Sequence, residues 1–160
     1  MPEAAGRGQG LQLVVFDLDR QRYAVALGVV ERVLPMVAVS PLPSGPGIAL
    51  GVVNVHGQVV PVLDLRRRLG FEPREYGLTA HLLLARTPRR LVALPVDEVL
   101  GVTTVPEDAV TPADTTLPGV RQVAGIAALP DGLLFIHDVD GFLSLEEEQR
   151  LTAALEEAAP

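Results

Sequence analysis

The 160-residue sequence contains no cysteine, no lysine and no tryptophan. Without cysteine, the chain has no disulfide framework and no thiolate chemistry. Without lysine, it lacks a phosphate-binding lysine of the P-loop type, a Schiff-base nucleophile and a lysine general base. Aromatic residues are few, four Phe and two Tyr, so no stacking platform for nucleic-acid bases is expected. The core must therefore be built from Val, Leu, Ile and Ala.

Long apolar runs and an excess of positive charge are missing as well. No stretch approaches the roughly 18 uninterrupted apolar residues of a membrane-spanning helix, and residues 1–10 hold no apolar run that could act as a secretory signal. The formal net charge of −7 argues against a general binder of nucleic acid or anionic membranes, because phosphates need clustered cations. We expect a single cytoplasmic domain behind a flexible tail at residues 1–10.

Short apolar runs separated by turn residues fill most of the chain. Three pairs of runs predict β-hairpins, with turns at 19–22, 87–90 and 130–132. Residues 103–121 hold three prolines and are predicted to form a long surface excursion, and Ser144 and Glu147 fit a helix capping box. Nine or ten short strands with one terminal helix indicate an all-β barrel or sandwich.

The residue types of known catalytic sites are present only in unsuitable patterns. The three serines lie in a Pro/Gly-rich loop and at the helix cap, and no nucleophile elbow occurs. Asp97 and Glu98 alternate faces on a strand, so they cannot form an acid/base pair. Arg66-Arg67-Arg68 could bind an anion, but the negative net charge favours the solvated side of a turn. We therefore expect no enzyme and no catalytic residue.

Metal and ligand sites are also poorly supported. His56, His81 and His137 fall on separate strands, with no two at metal-ligand spacing. A small all-β enzyme or ligand-binding barrel remains a less favoured alternative, and it would need a polar pocket that collects Asp64, His137 and Asp138. No metal and no cofactor are expected.

The stretch from Gly51 to Gly70 carries a family resemblance. It reads G-V-V-N-V-H-G-Q-V-V-P-V-L-D-L-R-R-R-L-G and resembles the signature G-x-x-N-x-R-G-x-x-x-P-V-x-D-L-R-x-x-x-G of the CheW-like domain, the coupling module of bacterial chemosensory arrays. Every fixed position matches except the arginine, which is replaced by His56. V-V-F-D-L at 14–18 and V-D-E-V-L-G-V at 96–102 match two further family motifs in the same order.

The resemblance implies both a fold and a function. The fold would be all-β, with two intertwined five-stranded SH3-like barrels over residues 11–143, residues 34–96 roughly forming the inserted one, and a C-terminal helix at 144–158. One face would bind the coiled-coil tip of a methyl-accepting chemoreceptor, and another the regulatory domain of a CheA-type histidine kinase. Such an adaptor performs no chemistry and couples the two partners through their contacts.

The resemblance also implies roles for individual residues. Asn54, Gly57, Pro61 and Asp64 match motif positions that hold the fold. The predicted receptor-binding set consists of Val29, Glu31, Gly51, Val99 and Val102. For each of the three valines in this set, burial in the core is the alternative.

His56 is the one departure from the signature. The family's arginine is positioned to pair with the acid that matches Glu31, whereas histidine is shorter and mostly neutral near pH 7. A Glu31–His56 contact would therefore be weaker and pH-sensitive. This leaves open an accessory adaptor that binds receptors but couples weakly, or not at all, to the kinase.

Overall fold

The structure, a computed structural model, describes residues 10–112 and 123–158. Eleven strands and two α-helices occur in these residues, together with short 3-10 turns at Leu27–Val29 and Glu107–Ala109. The elements are β1 (Gly10–Leu18), β2 (Gln21–Ala26), β3 (Val30–Pro35), β4 (Ala49–Val55), β5 (Gln58–Leu63), α1 (Leu65–Leu69), β6 (His81–Arg86), β7 (Leu91–Val96), β8 (Glu98–Pro106), β9 (Val110–Pro112), β10 (Val123–Leu129), β11 (Gly132–His137) and α2 (Leu145–Ala158).

The strands form two sheets. The first has six strands in the order β8-β1-β2-β11-β10-β9, and the second has five in the order β3-β6-β7-β5-β4. Neighbours are antiparallel except β2 with β11 and β5 with β7. Every strand of the second sheet lies between Val30 and Val96, so the chain leaves the first sheet after β2 and returns to it at β8. The predicted all-β fold with two SH3-like sheets and a short C-terminal helix is confirmed, but the first sheet has six strands where five were expected.

The three predicted hairpins are present as β1–β2, β6–β7 and β10–β11. The first is closed by Asp19 and Arg20, both with positive φ angles of 55° and 70°. Such a two-residue turn matches the right-handed twist of the flanking strands. Local turn chemistry therefore sets the register of the hairpin in which β1 lies.

Buried apolar side chains form three clusters. One lies within the first sheet and includes Leu13 and Leu134, and another lies within the second and includes Val60 and Leu84. The largest joins the sheets, because it combines Phe16 and other residues of β1 and β2 with residues of β5, β6 and β7. We call this largest cluster the shared core.

Helix α2 closes one side of the shared core. Ser144 Oγ accepts a hydrogen bond from the Glu147 amide at 3.1 Å, and Glu147 Oε1 accepts one from the Ser144 amide at 2.9 Å, which confirms the capping box. Arg68 of α1 donates to both carboxylate oxygens of Glu147 at 2.6 Å. Leu151 is completely buried in the shared core. The chain that leaves the first sheet is thus anchored to the second.

One part of the predicted layout is wrong. Residues 103–106 belong to β8 and 110–112 form β9, so this part of the expected surface excursion is an edge of the first sheet. Strand β8 pairs with β1 along eight positions, and the β-branched residues at 102–105 favour a strand strongly enough to outweigh the proline signal. The flexible tail is predicted at residues 1–10, but Gly10 already belongs to β1. Residues 1–9 of that tail, and the rest of the expected excursion, lie outside the described residues.

Candidate protein-binding surface

Three of the five residues in the predicted receptor-binding set lie along the border of the shared core. Val99 and Val102 of β8 pair with Phe16 and Val14, two members of that core, so their side chains project to the same face of the sheet. Val29 follows β2 and is half-buried against the same core. Val102 remains 59% exposed. We call Val29, Val99 and Val102 the junction patch.

The junction patch lies at an unpaired sheet edge. Strand β8 is the outermost strand of the first sheet, and Leu100 beside the patch is also exposed. Exposed edges offer unpaired backbone groups together with apolar side chains, and proteins either cover them or use them for binding. Core burial, the alternative weighed for these valines, holds only in part, because Val29 and Val99 are half-buried and Val102 is mostly exposed.

Glu31 lies close to the patch in sequence but projects elsewhere. It is the extra residue of a β-bulge, since Val30 pairs with Ala85 and Arg32 pairs with the preceding residue of β6. Its carboxylate forms an ion pair with Arg86 Nε. The predicted contact between Glu31 and His56 is wrong, because an arginine 55 residues away occupies the carboxylate.

His56 contacts Arg32 instead. Its Nε2 lies 2.7 Å from Arg32 Nη1, and arginine can only donate, so Nε2 accepts. His56 adopts a φ of 51° in the β4–β5 turn, and Gly57 follows with 88°. The Gly57 amide donates to Asn54 Oδ1 at 2.8 Å, which fixes this turn. Histidine is one of the few residue types enriched at such angles.

Gly51 lies apart from the junction patch, on β4. It is buried with a φ of +153°, and a Cβ at this position would lie 2.0 Å from the Ser40 carbonyl oxygen. Ser40 forms an isolated bridge with Val52, and the two exchange backbone hydrogen bonds of 2.9 and 2.7 Å. The glycine therefore allows the segment that contains Ser40 to cover the β4 edge.

The remaining signature residues make contacts inside the fold. Pro61 is buried on β5 and is paired with Val52. Asp64 is the N-cap of α1: its Oδ1 accepts from the Arg66 amide at 3.0 Å, and the Tyr76 hydroxyl donates to the same oxygen at 3.3 Å. Burial and the nearby Asp64 charge raise the pKa of Tyr76. Asp64 is thus committed to local structure rather than to an open polar pocket.

Arg66 is buried, whereas the sequence predicts a solvated side chain. Its side chain is 1% exposed, forms an ion pair with Asp97 and lies 4.7 Å from the centre of the Tyr76 ring. Burial alone would raise the pKa of Asp97, but hydrogen bonds from Arg66 and the Asp19 backbone outweigh it, so the pKa of Asp97 lies below its usual value. The solvated-turn interpretation of 66–68 is wrong for Arg66, and no local pattern reveals a partner 31 residues away.

Within residues 10–112 and 123–158, no group of three or more His, Asp or Glu side chains is arranged to hold a metal ion. Over the same part of the chain, no helix has the length and apolar character needed to cross a membrane.

Comparison with known proteins decides the family. A model described as the CheW-like domain matches residues 12–147, which is most of the chain. The chain belongs to the CheW-like domain family. It is 28% identical over 142 residues to the chemotaxis protein CheW of Rhizobium meliloti, covering 88% of this chain and 92% of that protein. It is also 32% identical over 117 residues to the protein FrzA of Myxococcus xanthus, covering 69% and 73%.

A solved CheW structure has the same fold. The scaffolding protein TtCheW from Thermoanaerobacter tengcongensis superimposes with a TM-score of 0.79 at 24% sequence identity, over 86% of this chain and 94% of that one. Its identity to this chain is too low to transfer binding residues. The binding roles of the junction patch, Glu31, Gly51 and His56 therefore remain predictions for this CheW-like protein.

Proposed function

We propose that this protein is a chemotaxis adaptor that couples chemoreceptor tips to the regulatory domain of a CheA-type histidine kinase. Membership of the CheW-like family and relatives named chemotaxis protein CheW support the function. The junction patch supports the mode of action, because an exposed apolar strip beside the border between two sheets suits the apolar face of a helical hairpin. The adaptor acts in the cytoplasm and transforms no substrate.

Separate surfaces for the two partners follow from the two-sheet arrangement. The junction patch lies on the β8 side of the first sheet, whereas Glu31, Arg32 and His56 lie at the β3 edge and the β4–β5 turn of the second. We assign the receptor to the junction patch and the kinase domain to the second sheet, which moves Glu31 and Gly51 from the predicted receptor-binding set to the kinase side. A helix bound at the patch then leaves the second sheet free for a β-rich domain.

An accessory adaptor is the second candidate, and His56 is the observation that favours it. Glu31 is paired with Arg86, and His56 with Arg32, so this surface differs from the acid–arginine pair implied by the family signature. A changed charge arrangement on the kinase-facing side would weaken binding to the kinase and leave binding to receptors intact, because interface charges govern partner choice.

The test is a three-component assembly experiment. The full chain, a receptor-tip fragment and the isolated kinase regulatory domain are mixed, and the masses of the complexes are measured by light scattering after size exclusion. The proposed adaptor gives one complex in which the kinase domain co-elutes with the receptor only when the chain is present. A receptor–adaptor complex without the kinase domain identifies the accessory form. If neither partner binds, both candidates are wrong.

A further inference from the structure

A cavity of about 200 Å³ opens beside the β4–β5 turn, at one end of the second sheet. Leu84 and Leu91 belong to the buried cluster of the second sheet and contribute apolar wall, and the other lining residues are mainly polar. We call this the hairpin cavity. Its lining consists of Glu31, Arg32, Val55, His56, Gln58, Leu84 and Leu91.

In the described part of the chain, the acid that lines the hairpin cavity has a basic partner, whereas the arginine that lines it has no acidic partner. Glu31 is paired with Arg86, so the negative charge on the cavity lining is already compensated. Arg32 is exposed and donates to Nε2 of His56. Among the described residues, no salt bridge joins Arg32 to a carboxylate. The cavity of this acidic protein therefore has a positive guanidinium whose charge is not compensated by an acid.

His56 is fixed beside that guanidinium. The turn holds the ring by its backbone, through the positive φ angles of His56 and Gly57 and the hydrogen bond from the Gly57 amide to Asn54. In the structure, Nε2 accepts from Arg32. This contact uses one N–H of the Arg32 guanidinium and leaves its other N–H groups to donate to a ligand.

We propose that the hairpin cavity binds an Asp or Glu side chain of a protein partner, with the Arg32 guanidinium, which His56 holds in place, as the donor to its carboxylate. A carboxylate has two oxygens and can accept from two N–H groups of one guanidinium at once. The charged groups that face His56 are Arg32 and Glu31 on β3, with Arg86 on β6 neutralising Glu31. The inference rests on the proposed function only in taking the partner to be a protein.

The shape of the hairpin cavity favours a side chain over a free anion. Leu84 and Leu91 form part of its wall, and the volume suits one acidic side chain with part of an apolar neighbour. A free phosphate would gain nothing from the leucines and would bring a second negative charge close to Glu31. The chemistry therefore indicates an acidic residue next to an apolar one.

The experiment follows the His56 ring and Arg32 side-chain NMR signals of the isotope-labelled full chain. The probes are the blocked dipeptides acetyl-Glu-Leu-amide and acetyl-Gln-Leu-amide, and inorganic phosphate. We expect the Glu peptide to shift both sets of signals, because its carboxylate binds Arg32 beside the His56 ring. We expect the Gln peptide to leave the signals unchanged.

The matched variants are Arg32→Gln and Arg20→Gln, the latter in the exposed β1–β2 turn. Loss of the His56 shifts in Arg32→Gln, with full retention in Arg20→Gln, supports the proposal. Equal shifts with both dipeptides, no shift with the Glu peptide, a response to phosphate alone, or an unchanged response in Arg32→Gln each overturns it. Because no receptor or kinase is present, a negative result leaves the proposed function untouched.

Discussion

At the scale of single residues, Gly51 shows how a signature position can act through the fold. Its φ angle of +153° belongs to a region that L side chains rarely adopt, and a Cβ would lie within 2.0 Å of the Ser40 carbonyl oxygen. The neighbour is backbone, which cannot move away without breaking the bridge between Ser40 and Val52. Added bulk at Gly51 would therefore displace the segment that covers β4.

Gly51→Ala should lower the free energy of unfolding by about 2–4 kcal/mol, because backbone strain and a close contact add at one site. Urea denaturation of the purified variant measures the loss. Gly77→Ala is the control, since a Cβ there meets nothing within 4 Å and its φ is ordinary. Equal stability of Gly51→Ala and wild type would contradict the assigned role.

At the scale of elements, ion pairs connect α1 and the segment after it to distant turns. Arg66 of α1 pairs with Asp97, which lies between β7 and β8, and Arg74 lies 3.0 Å from Asp19 in the β1–β2 turn and 3.6 Å from Asp97. The Asp19 amide also donates to Asp97 at 2.8 Å. One carboxylate thus links both sheets where the chain crosses between them.

The lowered pKa of Asp97 predicts an acid-sensitive contribution to stability. A carboxyl group with a lower pKa in the folded state stabilises the protein above its unfolded pKa of about 3.9, and that contribution is lost as the pH falls through the folded value. Asp97→Asn should therefore cost about 2–4 kcal/mol at neutral pH, because the buried Arg66 guanidinium loses its anion.

Urea unfolding at about pH 7 and about pH 3 measures this effect. The gap between Asp97→Asn and wild type should narrow at the lower pH. Asp108→Asn, an exposed acid in the second 3-10 turn, serves as the control and should follow wild type at both pH values. A gap that is constant between the two pH values would show that ionisation of Asp97 is not involved.

The strands and the helix cap of this fold are more predictable from the sequence than the contacts between distant residues. The hairpins were predictable because turn residues such as Asp19-Arg20 act locally, and the Ser144 cap because its partner is three residues away. The partner of His56 was not predictable from the sequence. Glu31 pairs with Arg86, which is 55 residues away. The bulge at Glu31 leaves the next residue, Arg32, to contact His56.

At the scale of the whole molecule, the shared core makes the two sheets one unit. Its members come from both sheets and from α2, so neither sheet buries all of its apolar surface alone. A partner that changes packing at the junction patch therefore acts on the border that both sheets share. This gives the proposed adaptor a physical route for passing a signal between two surfaces.

The proposed receptor surface can be tested with two matched substitutions. Val102→Asp and Val59→Asp place the same charge at valines that are 59% and 54% exposed, on the first and second sheets respectively. Both variants should fold as wild type does, because neither valine belongs to a buried cluster. Only Val102→Asp puts a carboxylate into the apolar junction patch.

Isothermal titration of the receptor-tip fragment into wild type and the two variants is the most direct measurement of the central claim. The adaptor account predicts that Val102→Asp weakens receptor binding at least about tenfold, the equivalent of about 1.4 kcal/mol, while Val59→Asp binds as wild type does. Equal affinities for all three proteins, or no binding of the fragment to wild type, would contradict it.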